Sequence, residues 1–404
     1  MTDGMSGFSY YVPTRVACAA GCWENFHEII PSWRRPVVVT GKGARSRTGW
    51  LDPILNRYPD AVVFDQVEEN PGTATCDRGA LLARENACDG IIALGGGSAM
   101  DAGKVIAVLA TDETRRAEDL FGNERYSRPP LPIVAIPTTA GTGSEVTPYS
   151  VLIDPRDGMK RTVRGNALFP GVALLDPILS VSMPRQVTIA SGLDALSQCM
   201  EGMVSRASTP PGDALATAGF AMVTAWLPLA ADHPERLDAR QHMLVAACLS
   251  GMVIAQSGTT MIHGMGYYYT LRHGIPHGLA NALLLPPVFA FNAQHAPDKI
   301  ASLLAAMNPD LPVKAMSPLQ LGQAIARALH DLYERLGISP AARDYGVPES
   351  VLGTYAREIA GDRIADHADS QRLLRFEQRR DRAAGAGLAR FGRRERRGGA
   401  ENQN

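Results

Sequence analysis

The chain has 404 residues and a formal net charge of −1, with 40 lysines and arginines against 41 aspartates and glutamates, so its length suffices for two domains and its charge does not predict a nucleic-acid partner. Its six cysteines form no paired zinc-type motif, which favours reduced thiols in the cytoplasm over a disulfide framework. The sequence begins without a secretory signal and contains no apolar run near the roughly 18 residues of a membrane span, so we expect a soluble cytoplasmic protein without a membrane partner.

Short β-branched runs punctuate the first half of the chain, and each is followed by glycine or threonine. Such runs are typical of buried parallel strands whose carboxyl ends carry ligand-binding loops. The segments Asp77–Ala87 and Ser98–Ala110 have helical composition, so this half predicts an α/β fold with a parallel sheet. The predicted strands are Pro36–Thr40, Ala61–Phe64, Gly90–Leu94 and Pro132–Ile136.

After Pro184 the pattern changes to long helices, with no strand-like run of comparable strength. The predicted helices are Gln186–Val204, Asp213–Ala231, Ala239–Ile254 and Pro318–Leu336. We therefore predict an α/β domain over residues 1–184, an all-helical domain over 185–367 and an atypical tail over 368–404.

The predicted strand at Gly90–Leu94 leads into three glycines and a serine, Gly95–Ser98, and then into a helix. Glycines let the backbone approach a pyrophosphate, and the free N–H groups of a first helical turn bind anions. The placement predicts a phosphate cradle, although the motif is not a Gly-x-Gly-x-x-Gly fingerprint and in isolation also fits a flexible turn. A second Gly-broken loop, after Ile136, carries Thr138 and Thr139, and in isolation it also fits an ordinary polar turn.

Asp194 and Gln198, taken with His263 and His277, supply a carboxylate, an amide and two imidazoles for one divalent metal. Asp194 and Gln198 stand four apart in a helical segment, so they share one face. His263 and His277 stand fourteen apart, which is about 21 Å along a straight helix. The chain must therefore fold back, and Gly274–Pro276 supplies the break. Each residue alone is more often a structural or surface group, but the set favours a metal site.

With these motifs, the chain resembles the iron-containing alcohol dehydrogenase family from about residue 10 to about residue 364. The resemblance implies a dehydroquinate synthase-like architecture, in which an α/β dinucleotide-binding domain with a parallel sheet precedes an all-helical, metal-binding domain. Family members hold a divalent metal, usually iron, with one aspartate and three histidines, and Asp194, His263 and His277 fall on three of those positions. The fourth position holds Gln198, whose neutral carbonyl oxygen is a harder and weaker ligand than imidazole. We expect Fe²⁺, with Zn²⁺ as the alternative.

The resemblance also implies a nicotinamide dinucleotide and a homodimer. It puts Thr138 and Thr139 near the adenine-side and phosphate atoms. Near the nicotinamide half it puts Thr147, Tyr149, Val151 and Lys160. The other implied cofactor contacts are Gly41, Asn70, Gly95, Gly96, Gly97, Ser98 and Asp101.

Cofactor preference depends on the loop after the first predicted strand. NAD enzymes tend to place an acidic residue there to bind the adenosine ribose hydroxyls, whereas a 2′-phosphate needs space and positive charge. This chain has Gly41 at that position, followed by Lys42, Arg45 and Arg47 with no acid in the loop. The loop predicts NADPH rather than NADH, and the competing interpretation is a solvated basic loop.

The metal and the nicotinamide together predict reduction of an aldehyde to a primary alcohol, with the metal polarising the carbonyl oxygen. The proton for the product comes from water, from a ribose hydroxyl of the cofactor or from one of two side chains. Tyr267 stands where many family members carry a proton-relaying histidine, and His273 lies one turn before His277. His273 is also an alternative fourth ligand, and the competing interpretation for it is a solvated loop histidine.

The run from Tyr267 to Gly278 looks similar to a branch of the family that reduces phosphonoacetaldehyde to 2-hydroxyethylphosphonate. Such an anionic substrate needs a cation, which Arg272, Lys160 or Arg164 can supply, although each also fits a solvated surface charge. Two alternatives remain. One is a metal-free or catalytically impaired family member, because of Gln198, and the other is a dehydroquinate synthase-like lyase.

From about Ala368 the composition shifts to arginine, glycine and alanine, where the family normally ends in another helix. Few apolar residues remain to pack, so we expect a disordered, solvated segment. A nucleic-acid-binding tail and a departure from the ancestral reading frame are the alternatives.

Overall fold

The computed structural model describes residues 7–23, 29–43 and 49–351. The sequence predictions for Arg45 and Arg47, for the end of the helical domain (352–367) and for the tail (368–404) lie outside these residues. The strands in the described part are β1 (Arg15–Cys18), β2 (Pro36–Gly41), β3 (Val62–Val67), β4 (Gly90–Gly95), β5 (Gly122–Asn123), β6 (Ile133–Pro137), β7 (Tyr149–Ile153), β8 (Lys160–Arg164) and β9 (Val172–Leu175).

Six of these strands form one parallel sheet in the order β1-β9-β6-β4-β2-β3. Both faces are buried, which explains why the strands are apolar throughout rather than alternating. Along β4, Ile91 and Ala93 pack into one core, with the helices that follow β3 and β4, while Ile92 and Leu94 pack into the core on the opposite face.

The order of the strands creates a crevice at the carboxyl end of the sheet. From β2 the chain moves outward to β3 and then returns to the other side of β2 to form β4. The connections that follow β2 and β4 therefore leave the sheet in opposite directions, and dinucleotides bind at such a switch point in open α/β sheets. The loops that begin at Gly41 and Gly95 thus border the same crevice.

A smaller sheet of β5, β8 and β7 lies beside the main one. Its strands β7 and β8 are antiparallel, with Tyr149 opposite Arg164 and Ile153 opposite Lys160. The sequence analysis did not predict this sheet, nor the two strands β1 and β9.

The described helices are α1 (Asp52–Arg57), α2 (Thr73–Glu85), α3 (Gly97–Thr111), α4 (Arg185–Val204), α5 (Pro210–Asp232), α6 (Leu237–Ser257), α7 (Met261–His273), α8 (His277–Asn292), α9 (Pro297–Met307) and α10 (Pro318–Leu336). The first three belong to the α/β half. From α4 onward the described chain is helical apart from loops and short 3₁₀ turns, so the predicted fold class is confirmed.

Helix α5 is long and apolar enough to cross a membrane by length and composition, with a mean hydropathy of 1.6 over its most apolar window. Half of that window is buried inside the protein, where α5 packs against α4 and α6. A core helix of a globular protein has the same composition.

The predicted break between the two histidines is present. Helix α7 ends at His273, Gly274 adopts a left-handed φ of +66°, and α8 begins at His277 after Pro276. At Gly278, an added Cβ would lie 1.8 Å from the Ala190 carbonyl oxygen of α4. The absence of a side chain there lets α8 approach the backbone of α4 directly, which brings His277 close to Asp194.

Candidate metal centre and cofactor loops

Helix α4 supplies the first part of the candidate metal centre. Asp194 and Gln198 are both nearly inaccessible to solvent, at 5% and 3% exposure, and they lie on the same face as predicted. Gln198 Nε2 donates to Asp194 Oδ2 at 3.0 Å, and Gln198 Oε1 accepts from Ser250 Oγ at 2.7 Å. The amide therefore presents its nitrogen, and not its carbonyl oxygen, to Asp194.

His263 lies in the first turn of α7, and Glu201 of α4 fixes its ring. Its Nδ1 contacts Glu201 Oε2, and its Nε2 lies 3.3 Å from Asp194 Oδ1. The other oxygen of Glu201 accepts from Thr260 N at 2.8 Å and Ile262 N at 3.1 Å, so the same carboxylate caps the start of α7. A carboxylate on one ring nitrogen leaves the other nitrogen free to bind a metal.

His277 reaches the same point from the start of α8. Its Nε2 lies 3.8 Å from Asp194 Oδ1, and its ring centroid lies 5.2 Å from that of His263. Asn281, one turn later and fully buried, donates from Nδ2 to Asp194 Oδ1 at 3.2 Å. Both oxygens of the carboxylate are thus held by side-chain amides.

The donor atoms of Asp194, His263 and His277 all lie within 4.8 Å of one another. One carboxylate oxygen and two imidazole nitrogens suit Fe²⁺ or Zn²⁺. Convergence of these donors, with the ring of His263 oriented by Glu201, fits the divalent metal that the sequence predicts.

The electrostatics of the cluster favour an ionised carboxylate. Burial by itself raises the pKa of Asp194, but the hydrogen bond with His263 and the charge of His277 hold it below its ordinary value. Burial likewise lowers the pKa of His263, and the charges of Glu201 and Asp194 outweigh it and raise that pKa to about 10. A cation that binds His263 Nε2 therefore displaces a proton from the ring.

The two predicted proton donors lie in different places. The ring of Tyr267 stacks on His277, with centroids 4.7 Å apart, and Lys160 Nζ lies 4.9 Å from the centre of the Tyr267 ring. The ring of His273 instead lies 5.8 Å from that of Tyr268 and is not among the converging donors of the described residues. In this geometry Tyr267 borders the cluster, whereas His273 does not replace the missing imidazole ligand.

The predicted phosphate cradle lies at the start of α3. Gly95 has a φ of +152°, and Gly96 caps the helix. An added Cβ at Gly97 would lie 2.7 Å from the Thr142 side chain, so the loop after β4 packs tightly on the loop after β6. Thr138 N donates to the Gly95 carbonyl at 2.9 Å, which fixes the two loops to each other.

Three further predicted cofactor residues lie around this cradle. The hydroxyl of Ser98 accepts from Asn70 N at 3.2 Å, and Asn70 itself has a φ of +54°. Thr139 lies on the other side, where an added Cβ at Gly96 would be 3.2 Å from its Oγ1. Another predicted position, Gly41, ends β2 at the mouth of the crevice.

Asp101 and Lys104 join α3 to the small sheet. Asp101 accepts from Val151 N at 2.9 Å and from Ser144 Oγ at 2.8 Å. Lys104 is fully buried and donates to Ser144 Oγ, Thr147 Oγ1 and the Tyr149 carbonyl at 2.8, 2.9 and 2.8 Å. Several of the predicted nicotinamide-side residues therefore belong to one hydrogen-bonded network, and their contact with a cofactor stays a prediction.

Burial shifts the ionisation of this network. It lowers the pKa of Lys104 to about 8, although Asp101 and Glu145 oppose the shift, and it raises the pKa of Glu145 to about 7. Burial also lowers the pKa of Lys160, against the charges of Asp194 and Asp101.

The sequence analysis assigned no role to Glu201, Asn281 or Ser250. For the first two a signal was present. Glu201 follows Asp194 by seven positions and Asn281 follows His277 by four, the spacings that share a helix face. Nothing local marks Ser250, which reaches Gln198 across the packing of α6 on α4.

Comparison with known proteins agrees with this geometry. The family model described as iron-containing alcohol dehydrogenase matches residues 13–177, and the C-terminal model of the same family matches residues 188–372. The chain is 35% identical to 4-hydroxybutyrate dehydrogenase of Cupriavidus necator, over 83% of this chain and 87% of that protein.

Two solved structures are similar over most of this chain. The structure of 1,3-propanediol oxidoreductase superposes with a TM-score of 0.82 at 30% identity, covering 88% of this chain and 94% of the other. The structure of sulfoacetaldehyde reductase from Bifidobacterium kashiwanohense in complex with NAD⁺ superposes with a TM-score of 0.79 at 30% identity, covering 87% and 92%.

Proposed function

Because this chain belongs to the iron-containing alcohol dehydrogenase family, whose members are alcohol and aldehyde oxidoreductases, we propose that it reduces a small aldehyde to a primary alcohol, with a divalent metal held by Asp194, His263 and His277. The observation that carries the proposal is the convergence of the three donor atoms within 4.8 Å. We propose Fe²⁺ as the physiological ion, with Zn²⁺ as the substitute.

When bound, the metal polarises the carbonyl oxygen and the reduced nicotinamide supplies hydride to the carbon. Residues of the chain orient the proposed metal ligands. Glu201 keeps the proton of His263 on Nδ1, and Asn281 holds Asp194 in place. Tyr267, stacked on His277 beside the cluster, is the proposed side-chain donor of the proton that the reduced oxygen takes up. His273 faces Tyr268 on the same helix, which makes it the weaker candidate.

Metal analysis of the purified protein, followed by chelation and reconstitution, tests this function. We expect about one divalent ion per chain, loss of aldehyde reduction after chelation and recovery when Fe²⁺ is returned. Turnover that survives complete removal of metal would contradict the proposal.

Gln198 supports one alternative function. Its amide already satisfies Asp194 in the arrangement described, which supports a metal-free or catalytically impaired family member. Protein that binds no metal and shows no turnover when metal is supplied would favour that rival. The dehydroquinate synthase-like lyase has no comparable observation in its favour, because both matching family models are those of alcohol dehydrogenases.

We further propose NADPH as the preferred cofactor. In the described part of the loop after β2, Gly41 is followed by Lys42 and Gly43, so no acid opposes a 2′-phosphate there. NADH is the alternative, because a similar enzyme has been solved with NAD⁺. The ratio of kcat/KM for the two cofactors decides between them.

We propose an anionic aldehyde, phosphonoacetaldehyde in the first instance, as the substrate. A structurally similar enzyme acts on sulfoacetaldehyde, which also carries an anionic group. Lys160 borders Tyr267, is partly buried and can pair with such a group. Arg164 on the same strand and Arg272 at the end of α7 are both exposed. Rates on phosphonoacetaldehyde, sulfoacetaldehyde and neutral aldehydes of the same length provide the test, and a preference for the neutral set would contradict it.

We also propose a cytoplasmic homodimer. Light scattering of the purified protein should give twice the chain mass, and a monomer would contradict this part of the proposal.

A further inference from the structure

The amide of Gln198 is the fourth side chain at the candidate metal centre, and it is bonded at both ends. Its Nε2 donates to Asp194 Oδ2 at 3.0 Å, and its Oε1 accepts from Ser250 Oγ at 2.7 Å. Ser250 lies on α6 and is fully buried, and its Oγ also lies 2.8 Å from the Ala247 carbonyl oxygen.

A serine hydroxyl has one proton and two lone pairs, so Ser250 can donate to only one of those two oxygens at a time. While it donates to Gln198 Oε1, the amide nitrogen is available to Asp194. If the Gln198 amide rotates so that its nitrogen and oxygen exchange places, Ser250 can donate to the Ala247 carbonyl and accept from Gln198 Nε2. In the described arrangement both ends of the Gln198 amide have a partner, as buried polar groups require. In the turned arrangement the nitrogen has Ser250 as its partner, and the oxygen has one only when a cation lies beside Asp194.

The two arrangements differ in what faces Asp194. In the turned arrangement, the amide oxygen takes the place of the nitrogen, 3.0 Å from Asp194 Oδ2. Two oxygens this close repel each other unless a positive charge lies beside them. In the arrangement described here, the N–H group fills that place instead.

We propose that Ser250 is a positioning residue for Gln198, and that a divalent cation at Asp194, His263 and His277 turns the amide so that its oxygen joins the ligand set. This inference rests on the metal dependence in the proposed function. As a consequence, the Gln198 oxygen occupies the fourth ligand position only while the ion is bound. A neutral amide oxygen binds the ion more weakly than imidazole, and no buried group is left unsatisfied when the ion leaves.

A double-mutant cycle tests the proposal without reference to turnover. Zn²⁺ affinity of the chelator-treated protein is measured by competition with a chromophoric chelator, for the wild type, Ser250→Ala, Gln198→Ala and the double variant. Ser250→Ala should weaken Zn²⁺ binding about tenfold in the wild-type background, but by less than about twofold when residue 198 is already alanine. Equal losses in the two backgrounds would overturn the proposal.

The matched control is Ser257→Ala, which removes another α6 hydroxyl bonded to a carbonyl of its own helix, that of Val253. It should leave Zn²⁺ affinity unchanged. Because Ser250 is buried, Ser250→Cys provides a second variant of similar volume with a weak hydrogen-bonding group. It should show the same dependence on Gln198, with a smaller loss.

NMR of the side-chain amide detects the rotation of Gln198 directly. The NH₂ resonances of Gln198 are identified by their absence in Gln198→Glu, and their contact with the Ser250 Hβ protons should strengthen when Zn²⁺ is added. If Zn²⁺ binds and these resonances keep their contacts, the inference is wrong and the proposed function stands. If the wild type binds neither Zn²⁺ nor Fe²⁺, both are wrong.

Discussion

Glu201 shows how much one buried carboxylate contributes to this site. One oxygen accepts the N–H groups of Thr260 and Ile262 at the start of α7, and the other contacts His263 Nδ1. The first set of bonds fixes where the helix begins, and the second fixes which ring nitrogen carries the proton. The identity of the residue therefore matters as much as its size.

We predict that Glu201→Gln weakens metal binding by about 10- to 100-fold. The glutamine oxygen stays with the helical N–H groups, so its NH₂ faces His263 Nδ1 and moves the ring proton to Nε2. That nitrogen then cannot bind a metal. Zn²⁺ titration measures the effect, with Glu85→Gln on the exposed end of α2 as control, and an unchanged affinity would show that Glu201 does not set the tautomer.

Glu145 predicts a pH dependence of stability. It is 2% exposed, and burial raises its pKa to about 7 from an ordinary 4.5. An acid whose pKa is raised in the folded state contributes its full stabilisation below pH 4.5, where it is protonated. That contribution to the free energy of unfolding is lost as the pH rises to 7. Glu145→Gln should therefore unfold like the wild type at pH 4.5 and be more stable at pH 8, by on the order of 2 kcal/mol.

Denaturant unfolding at several pH values provides the measurement. Glu334→Gln, on the exposed face of α10, is the control and should show no such trend. A Glu145→Gln stability difference that does not grow between pH 4.5 and 7 would contradict the burial argument.

At the scale of elements, the site depends on how closely α8 approaches α4 and α7. Gly278 lies against the Ala190 carbonyl of α4, and Gly266 of α7 lies against the Asn281 side chain of α8, where an added Cβ would be 2.1 Å from Oδ1. These contacts hold the start of α8, and hence His277, at its distance from Asp194.

We predict that Gly278→Ala destabilises the protein by about 2 kcal/mol or more and weakens metal binding, because the methyl group pushes α8 away from α4. Gly274→Ala is the matched control, since Gly274 has a φ of +66° and open space around its Cα. It should cost only the left-handed backbone term of about 1 kcal/mol and leave metal affinity unchanged. Equal effects of the two variants on metal affinity would contradict this account.

Sequence patterns predicted the elements that are long or uniformly apolar. Helix α10 runs from Pro318 to Leu336 as predicted, and β2, β4 and β6 begin or end within one residue of the predicted runs. The missed strands lack such a pattern. In β8, Lys160–Arg164, charged residues lie at both ends and only Val163 is fully buried, so its pairing with β7 is visible only once the chain is folded.

Within the site, spacing predicted which residues meet but not how their polar groups are oriented. The four-residue step from Asp194 to Gln198 and the break at Gly274 account for the proximity of these side chains to His263 and His277. The direction of the Gln198 amide depends on Ser250, which is fifty-two positions away in sequence. Local patterns carry no information on such a contact.

At the scale of the molecule, the site lies where the α/β half meets the helical half. Lys160 comes from the small sheet and Tyr267 from α7, and their contact is one link between the predicted nicotinamide side and the proposed metal centre. The proposed metal ligands come from three helices, α4, α7 and α8, while the glycines of the predicted phosphate cradle follow β4. Among the described residues, the proposed reaction therefore needs side chains from both halves.

The crevice between β2 and β4 allows cofactor preference to be tested at one position. An added Cβ at Gly41 would lie 3.5 Å from the Val67 carbonyl, an ordinary contact. We predict that Gly41→Asp lowers the NADPH-to-NADH ratio of kcat/KM by about tenfold or more, through repulsion of the 2′-phosphate and a new bond to the ribose. Gly43→Asp adds the same charge two residues later and should have a smaller effect, and equal effects would contradict a specific role for Gly41.

That crevice arises from the route of the chain and not from the side chains on its rim. Substitutions at the rim, such as Gly41→Asp, are therefore expected to change the coenzyme preference without changing the strand order. For protein engineering, the rim residues are therefore positions where coenzyme preference can be changed with little effect on folding, because the strand order forms the crevice.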